Sequence, residues 1–414
     1  MVVLDASSTV VDMARQENWV LGIDNRSPAS RVKPGAVRDS LNFSPTDAGT
    51  FALRPGFESI FTGSRVRFAF PVGRGRALVA DDSGLVELDL LSQAARNLAT
   101  ITPAGPLCAA TLAGDTFIAS AREMLRYAGG AVRQWLVPGV PDDFAVSLVE
   151  GSLQPGLYRL ACTFVDAYGD ESGVMDPLRI SVPAGKALQV SVPVPPTGLS
   201  VRLYASVANG ETLYLQASAP GVRQVGAVRD DTARCTTIGL CSMPRPDTLC
   251  VLSDSRLVGV RGKCLYLSRP YRPHLHDPVA DFFQFEAVPA VVLPCGAGLF
   301  VCAGQGTYFL NGIGTEQPQA PKVLEYGAVS GTGRVLPDGR CAWMSPWGLV
   351  VGNPDGSAAP IASERFVPGQ GERGATGLVH SNGSSLLVTT MRGAGEGVSP
   401  LAARDYFQTE YIEP

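Results

Sequence analysis

Two of the three histidines are the first candidates for chemistry. His274 and His276 lie in RPYRPHLHDP and are followed directly by Asp277. In an extended segment, side-chain alternation would place both imidazoles on one side, as zinc can require, but no third ligand stands nearby in the sequence. Because the segment is rich in proline and follows the strand-like CLYLSRP, we predict a surface loop that holds no metal.

The sequence contains no motif that is typical of a catalytic serine. The chain has no G-x-S-x-G elbow, and the third histidine, His380, stands in GLVHSNGSS without a distinctive partner. The glycines of CGAGLFVCAGQGTYFLNGIG do not form G-x-G-x-x-G and precede no helix, so they indicate turns between strands rather than a phosphate site.

Glycoside hydrolysis needs two carboxylates that face each other across a cleft. Two carboxylates that are neighbours in the sequence do not predict this arrangement. LPDGRCAW faintly resembles the Asp-box of sialidases, S-x-D-x-G-x-T-W, but lacks its Ser and Thr and occurs once. We therefore assign no catalytic, cofactor-binding or metal-binding residue, and we predict that the protein is not an enzyme. Three adjacent carboxylate pairs are predicted to lie in solvated turns: Asp81-Asp82, Asp142-Asp143 and Asp230-Asp231.

Trp343 and Trp347 flank a predicted turn at Ser345 and Pro346. Large rings commonly fill the wedge between neighbouring sheets, so both are predicted to belong to a core, with a ligand-binding shelf as the alternative. The stretch between Glu286 and Glu316 carries no charge but contains two prolines and six glycines. Such a stretch would break a helix repeatedly, so we predict two short buried strands and no membrane span.

Composition limits the partners of the chain. It has 34 basic and 38 acidic residues and a formal net charge of −4. This charge provides no basic surface for sequence-specific DNA binding, but it is compatible with passive contact between DNA and the wall of a channel. Only 17% of residues are charged, so much of the surface is expected to be hidden in a core or against partner subunits.

The nine cysteines contain no C-x-x-C pair and lie mostly in apolar runs. They are predicted to be reduced core residues, Cys264 and Cys302 included, which indicates synthesis in a reducing cytosol. MVVLDASSTV has no basic region followed by an apolar stretch, so no signal peptide is expected.

Short hairpin patterns recur along the chain, whereas helical periodicity is confined to about Ser8 to Asn18. Their starts lie 39, 141, 42, 41 and 45 residues apart. Four of these spacings are close to the length of a four-stranded propeller blade, about 40–45 residues. The spacing of 141 exceeds one blade by about 100 residues, which is the size of a β-sandwich. The six predicted hairpins begin at Arg76, Asp115, Arg256, Gly298, Gly339 and Ser384.

The additional residues, 141–224, have strand patterns of their own. A turn is predicted at Tyr168, Gly169 and Asp170, and Asn209-Gly210 is a strong hairpin signal. The pattern resembles a fibronectin type III-like module, and three further blade hairpins are the alternative.

Residues 22–57 read GIDNRSPASRVKPGAVRDSLNFSPTDAGTFALRPGF. This lead-in is rich in Asn, Asp, Gly and Pro, which predicts a string of turns with few ladder positions. Its order and spacing resemble the N-terminal signature of a family of tailed-bacteriophage virion proteins, the β-propeller nozzle or hub components of the tail. An ordinary irregular N-terminus is the alternative. LYRLACTFVDAYGDESG, SRLVGVRGKCLYLSRP, GTYFLNG and CAWMSPWGLVVGNPDG fit the same family, whereas MPRPDTL and TEYIEP depart from it.

The sequence therefore predicts an all-β protein, a six- or seven-bladed β-propeller with an inserted fibronectin type III-like β-sandwich. The expected segments are an irregular lead-in (1–60), a first propeller part (61–140), the inserted module (141–224) and a second propeller part (225–414). The resemblance implies a structural tail component made in the host cytoplasm. It would form a ring in the virion tail, hexameric by expectation, through which DNA exits and to which fibres or spikes attach, with adaptor, fibre or spike proteins as partners. The alternatives are a receptor- or glycan-binding tail adhesin and a sugar-active propeller enzyme.

Overall fold

The computed structural model describes residues 19–38, 40, 43–46, 49–53, 58–101, 107–141, 144–366, 368–369, 371–381, 384–393 and 406–412. Small antiparallel sheets dominate these residues, so the all-β prediction is confirmed. The predicted helix at 8–18 lies outside the described residues. Within the described part, no helix has the length and apolar character needed to cross a membrane.

The chain divides into two compact units, each described by itself. Unit 1 comprises Met1–Ser59, Tyr326–Asn353 and Ser357–Pro414, and unit 2 comprises Ile60–Glu325 and Pro354–Gly356. The four segments expected from the sequence stay a prediction.

The lead-in, part of unit 1, has only very short elements where it is described. β1 (Gly22–Ile23) pairs in parallel with β2 (Ala36–Val37), β3 (Phe43–Pro45) pairs antiparallel with β4 (Phe51–Leu53), and a 3-10 helix spans Ala29–Arg31. This confirms the predicted scarcity of ladder positions in that part of the segment. Hydrogen bonds also attach it to residues 361–366: the Arg365 guanidinium donates to the Leu21 carbonyl (3.0 Å), and the Arg26 amide donates to the Arg365 carbonyl (3.2 Å).

Unit 2 begins with two four-stranded, up-and-down antiparallel sheets. In each, the middle strands are mostly buried and the outer strands are more exposed, because the middle strands have neighbours on both sides. Their strands are β5 (Phe68–Gly73), β6 (Arg76–Asp81), β7 (Gly84–Asp89), β8 (Ala95–Ala99) and β9 (Cys108–Leu112), β10 (Asp115–Ala119), β11 (Met124–Ala128), β12 (Ala131–Gln134).

The next seven strands form two sheets, ordered β13-β16-β19 and β15-β14-β17-β18. The sheets share one apolar core, to which β14 contributes Leu160, Cys162 and Phe164 and β16 contributes Leu188 and Val190. These residues therefore form a sandwich, which we call the module. Its strands are β13 (Val146–Glu150), β14 (Gly156–Asp166), β15 (Leu178–Val182), β16 (Lys186–Val192), β17 (Leu199–Ser206), β18 (Leu213–Ala217) and β19 (Gly221–Val225).

Two further four-stranded sheets follow in unit 2, ordered β21-β22-β23-β25 and β26-β27-β28-β29, with β20 and β24 as a separate pair. The uncharged stretch forms three buried strands rather than the two predicted, β26 to β28. Cys302 is buried as predicted, but Cys264 is only half-buried because it ends the hairpin turn at the start of its strand. The strands are β20 (Cys241–Ser242), β21 (Thr248–Val251), β22 (Leu257–Arg261), β23 (Cys264–Leu267), β24 (Leu275–His276), β25 (Phe282–Gln284), β26 (Pro289–Cys295), β27 (Gly298–Ala303), β28 (Gly306–Leu310) and β29 (Lys322–Leu324).

The two remaining sheets belong to unit 1 and are ordered β30-β31-β32-β33 and β34-β35-β36. Five of the six predicted hairpins are the central strand pair of a four-stranded sheet. The prediction at Ser384 is wrong: this segment is one continuous strand, and its hairpin partner precedes it. The strands are β30 (Arg334–Val335), β31 (Cys341–Ser345), β32 (Gly348–Gly352), β33 (Ala358–Pro360), β34 (Gly371–Ser381), β35 (Ser384–Gly393) and β36 (Tyr406–Ile412).

Successive sheets of unit 2 pack face to face through apolar side chains. The first sheet meets the second at Leu78 and Ile118, and the third meets the fourth at Val260 and Leu299. The first strands of these four sheets are also neighbours: β9 lies between β5 and β21, and β21 contacts β26.

The third sheet packs on the second although the module separates them in sequence. Leu249 and Leu257 of the third sheet join Phe117 and Trp135, whose ring centroids lie 5.2 Å apart. Each fully buried side chain of this size contributes about 1.5–3 kcal/mol. The module therefore leaves the stack of sheets continuous.

Candidate functional site

Three segments of unit 2 meet at one end of the module: the turn at 166–171, the hairpin of β11 and β12, and the loop at 269–281. Polar residues of these segments, together with Asp115 of β10, form what we call the module junction. It consists of Asp115, Arg126, Arg133, Asp166, Tyr168, Asp170, Glu171 and His274.

The turn is fixed by its own first residue. The Asp166 carboxylate accepts hydrogen bonds from the backbone amides of Tyr168 (2.8 Å) and Asp170 (2.9 Å), and Gly169 supplies the positive φ of +87°. Asp166 thereby mimics a backbone turn, as Asx residues commonly do. The predicted turn at 168–170 is confirmed, and it directs Asp170 toward the hairpin of the second sheet.

Arg126 and Arg133 occupy directly opposite positions on β11 and β12. Like charges in such a cross-strand pair repel, so the pair requires carboxylates nearby. Arg133 donates to Asp166 Oδ2 (2.6 Å) and Asp170 Oδ2 (2.9 Å), and Arg126 donates to Asp115 Oδ2 (2.7 Å from Nε) and to Asp170 Oδ2 (3.2 Å). Asp170 therefore joins both guanidinium groups and holds the module against the second sheet.

The loop at 269–281 holds the module from the third sheet. His274 is 3% exposed, and its Nε2 lies 3.0 Å from the backbone carbonyl oxygen of Glu171, to which it donates. Its Nδ1 has no hydrogen-bond partner in the described protein and lies 3.9 Å from Asp170 Oδ1. Burial lowers the pKa of His274, in spite of the attraction that the Glu171 carbonyl and Asp170 exert on a proton. The neutral imidazole therefore fills a structural position at neutral pH.

His276 is 4% exposed and lies in a different environment. β24 pairs with β20 so that His276 stands opposite Cys241, whose sulfur is 3.6 Å from the ring nitrogens. The ring is nearly perpendicular to Tyr266, with centroids 5.5 Å apart, and burial lowers its pKa. The prediction of a surface loop was wrong for both histidines, because strand pairing and the module turn cover them.

Asp277 does not complete a metal site with these histidines. It accepts a hydrogen bond from Arg269 (3.1 Å) and caps the amides of Val279 (2.9 Å) and Ala280 (3.2 Å). Among the described residues, no group of three or more His, Cys, Asp or Glu side chains is arranged to hold a metal ion.

Glu171 is satisfied within the module. Its carboxylate accepts hydrogen bonds from Thr163 (2.6 Å), Tyr204 (2.7 Å) and Arg202 (2.9 Å). Tyr204 is fully buried, and burial followed by the bond to Glu171 raises its pKa. This arrangement supports the turn and leaves no free carboxylate oxygen pair for acid–base chemistry.

The structure separates the other candidates. Asp81 is buried, contrary to the prediction, because it accepts hydrogen bonds from the Ser83 hydroxyl and amide and the Ser64 amide, and the Ser83 bonds lower its pKa. Its neighbour Asp82 is exposed and pairs with Arg67. Asp230 and Asp231 are exposed as predicted, and Asp142 and Asp143 lie outside the described residues.

The remaining candidates belong to unit 1. His380 is exposed on β34 and hydrogen-bonds Ser385 (2.9 Å). Trp343 is fully buried as predicted, but Trp347 is 57% exposed, with its ring centroid 6.4 Å from that of Tyr326. Trp347 lies in the tight turn after β31, where the side chain points away from the sheet core, so its assignment to a core was wrong.

Sequence analysis missed the arginines of the junction. A signal was present: Arg126 and Arg133 are symmetric about the Ala-Gly-Gly-Ala turn of MLRYAGGAVRQW, which predicts an unfavourable cross-strand pair of cations. Asp115, on the neighbouring strand, neutralises Arg126 from 11 residues earlier, but the module carboxylates that complete the neutralisation lie 33 to 44 residues further along the chain, and the sequence does not indicate that contact.

Comparison with known proteins adds little to this geometry. No family model and no curated protein matches the chain. It is similar to a streptogramin B lyase structure (10% identity over 78% of this chain and 90% of that chain, TM-score 0.32) and to virginiamycin B lyase from Staphylococcus aureus (10%, 78% and 92%, TM-score 0.31). A third is the extracellular domain of a one-component system from B. thetaiotaomicron (11%, 83% and 58%, TM-score 0.25).

Proposed function

We propose that the protein is a structural, non-catalytic component of a bacteriophage tail, a nozzle or hub subunit built on a β-propeller. The family resemblance of the lead-in suggests this role. The observation that carries it is the module junction, where Arg126, Arg133 and His274 bind the module turn and fix it to the second and third sheets. Such an arrangement suits a rigid scaffold better than a centre for proton transfer.

The propeller is proposed from the sheets. Outside the module, five four-stranded antiparallel sheets and one three-stranded sheet follow one another among the described residues. Four of them stack in unit 2 with their first strands adjacent, and the other two share a core in unit 1. Radial stacking of four-stranded blades has these features, and six sheets agree with a ring of six or seven blades.

The module is proposed to be fibronectin type III-like. It has seven strands in a three-stranded and a four-stranded sheet around one core, as expected for this class of sandwich. It is inserted between the second and third sheets and is anchored to both of them. In a tail, it would project from the scaffold in a fixed direction and offer a surface to fibres or spikes.

Assembly into a ring, hexameric in this proposal, is supported by exposed apolar side chains of unit 2. Leu91 is 91% exposed and Val279 is 82% exposed, and both lie outside the module. Other tail proteins, adaptor, fibre or spike, are the proposed partners, and exiting DNA would be in passive contact only.

The test is cryo-electron microscopy and mass spectrometry of the phage particle that this gene accompanies. We expect the chain as a closed ring in the tail of that particle. Its absence from purified particles, or a single copy in place of a ring, would contradict the proposal. A Leu91→Asp variant should weaken ring formation, whereas the matched Leu148→Asp change on the module should not.

A further inference from the structure

A cavity of about 310 Å³ opens beside the module junction. Its volume is at the lower end of the range found for small-molecule sites, about 300–1,000 Å³, and fits one small ring. It is lined on one side by the hairpin of β11 and β12 and on the other by the module turn. The lining residues that matter here are Asp115, Arg126, Val132, Arg133, Tyr168 and Asp170.

The charges at this cavity nearly cancel. Among the residues that line it, the guanidinium groups of Arg126 and Arg133 are balanced by the carboxylates of Asp115 and Asp170, to which they bind. An anion would meet these carboxylates, and a cation would meet the two arginines, so neither would gain a favourable net field. The electrostatics favour a neutral ligand that carries both hydrogen-bond donors and acceptors.

Hydrogen-bonding capacity remains after the ion pairs have formed. Arg133 uses two of its five N–H groups for Asp166 and Asp170, and its Nε makes no hydrogen bond within the described residues. Asp115 accepts from Arg126 only through Oδ2, which leaves Oδ1 as an acceptor. The cavity therefore offers at least one donor and one acceptor, and a ligand with several hydroxyl groups can use both kinds of group.

Tyr168 supplies an apolar surface at the cavity. The Arg133 guanidinium lies 4.1 Å from its ring centroid and holds the ring, while the bond from its own amide to Asp166 fixes the backbone. The residue is nevertheless 70% exposed. An aromatic ring that is held in place and still open to solvent offers a preorganised contact for an apolar C–H face at little entropic cost.

We propose that this cavity binds one neutral monosaccharide unit, with sugar hydroxyls bonded to Arg133 and Asp115 and an apolar ring face against Tyr168. A saccharide combines the two properties that the site matches, paired hydroxyl groups and a C–H face. This inference goes beyond the scaffold role and does not depend on it. The cavity could bind a sugar if the protein were not part of a tail, and the protein could form a tail ring if the cavity bound no sugar.

The test uses the full chain and saturation-transfer difference NMR with titration. The probes are glucose, galactose, mannose, fucose, N-acetylglucosamine and N-acetylgalactosamine, with glucuronic acid and glucosamine as charged counterparts. At least one neutral sugar should bind with a Kd on the order of 1 mM or lower. The charged counterparts should bind more weakly.

Variants of two exposed tyrosines locate the site. Tyr168→Ala should weaken binding about fivefold or more, and Tyr168→Phe should retain it, because the ring rather than the hydroxyl makes the contact. Tyr271, 88% exposed and not part of the cavity, is the matched control, and Tyr271→Ala should leave the affinity unchanged. Circular dichroism should show each variant folded.

Several results would overturn the proposal. These are no binding of any neutral sugar, equal binding of the charged sugars, unchanged affinity in Tyr168→Ala, or equal loss in Tyr271→Ala. Binding of N-acetylglycine amide in place of sugars would assign the cavity to peptide groups and would also overturn it.

Discussion

Replacing Arg133 by alanine should destabilise the protein far more than the loss of an ordinary ion pair. Its side chain is 15% exposed, and those of its partners Asp166 and Asp170 are 13% and 21% exposed, so removal leaves two carboxylates in a poorly hydrated place. Breaking a buried pair costs about 3–5 kcal/mol. The structure lowers this figure because Asp170 keeps Arg126 and Asp166 keeps two backbone amides. We expect a loss of about 2–3 kcal/mol in the free energy of unfolding.

Arg261 provides a matched control for this substitution. It pairs with Asp247 at 2.8 Å, but the two side chains are 49% and 52% exposed, so Arg261→Ala should cost about 0–1 kcal/mol. Urea unfolding followed by circular dichroism measures both losses, and hydrogen exchange of peptides from β14 tests whether the module is affected. If Arg133→Ala cost no more than Arg261→Ala, or if exchange in β14 did not change, the junction would not be what holds the module.

Three further outcomes are expected. Burial lowers the pKa of His274 and His276 below the usual 6.5, so the unfolded chain takes up protons that the folded chain does not as the pH falls below about 6.5. The free energy of unfolding should therefore fall by up to about 1.4 kcal/mol per pH unit for each imidazole. In urea titrations between pH 5 and 7, the double variant H274Q/H276Q should show a flatter dependence than the parent protein, and an unchanged slope would refute the role of the two imidazoles. Trp343→Ala should lower the free energy of unfolding by about 3–5 kcal/mol because it empties a fully buried site. Trp347→Ala, at an exposed ring, should lower it by less than about 1 kcal/mol. Equal losses of stability in thermal melts would refute the assignment of one ring to the core and the other to the surface. Gly173→Ala should destabilise the module strongly, since its Cβ would lie 2.0 Å from the Leu240 carbonyl oxygen, while Gly226→Ala, which meets nothing within 4 Å, should be close to neutral in the same melts.

The central hairpins could be predicted from the sequence because they are local. Strands such as β6 and β7, or β27 and β28, join apolar runs across a turn of two residues, so the pattern of side chains and the turn residues together specify the pairing. The turns at Tyr168 and Asn209 were found for the same reason. Asp166 caps amides two and four residues further on, and Gly169 and Asn209 adopt the positive φ that their turns use. The prediction at Ser384 failed where no turn residue interrupts the run SSLLVTTM.

The burial of individual polar and aromatic residues was not predictable in this way. A proline-rich segment with two histidines has the composition of a surface loop, yet His274 is covered by a module turn 103 residues earlier in the chain and His276 by a strand 35 residues earlier. Trp343 and Trp347 stand four residues apart in the same sequence context, and only the direction of each side chain relative to the sheet makes one core and the other surface.

The amino-acid sequence by itself thus determined the β-strands, their turns and the repeat of hairpins, since these depend on interactions between near neighbours. The tertiary structure alone decided which charges meet. Asp115 on the neighbouring strand neutralises Arg126, but Arg133 is neutralised only because Asp166 and Asp170 arrive from the module, and the free energy of that contact depends on burial, which no local pattern encodes.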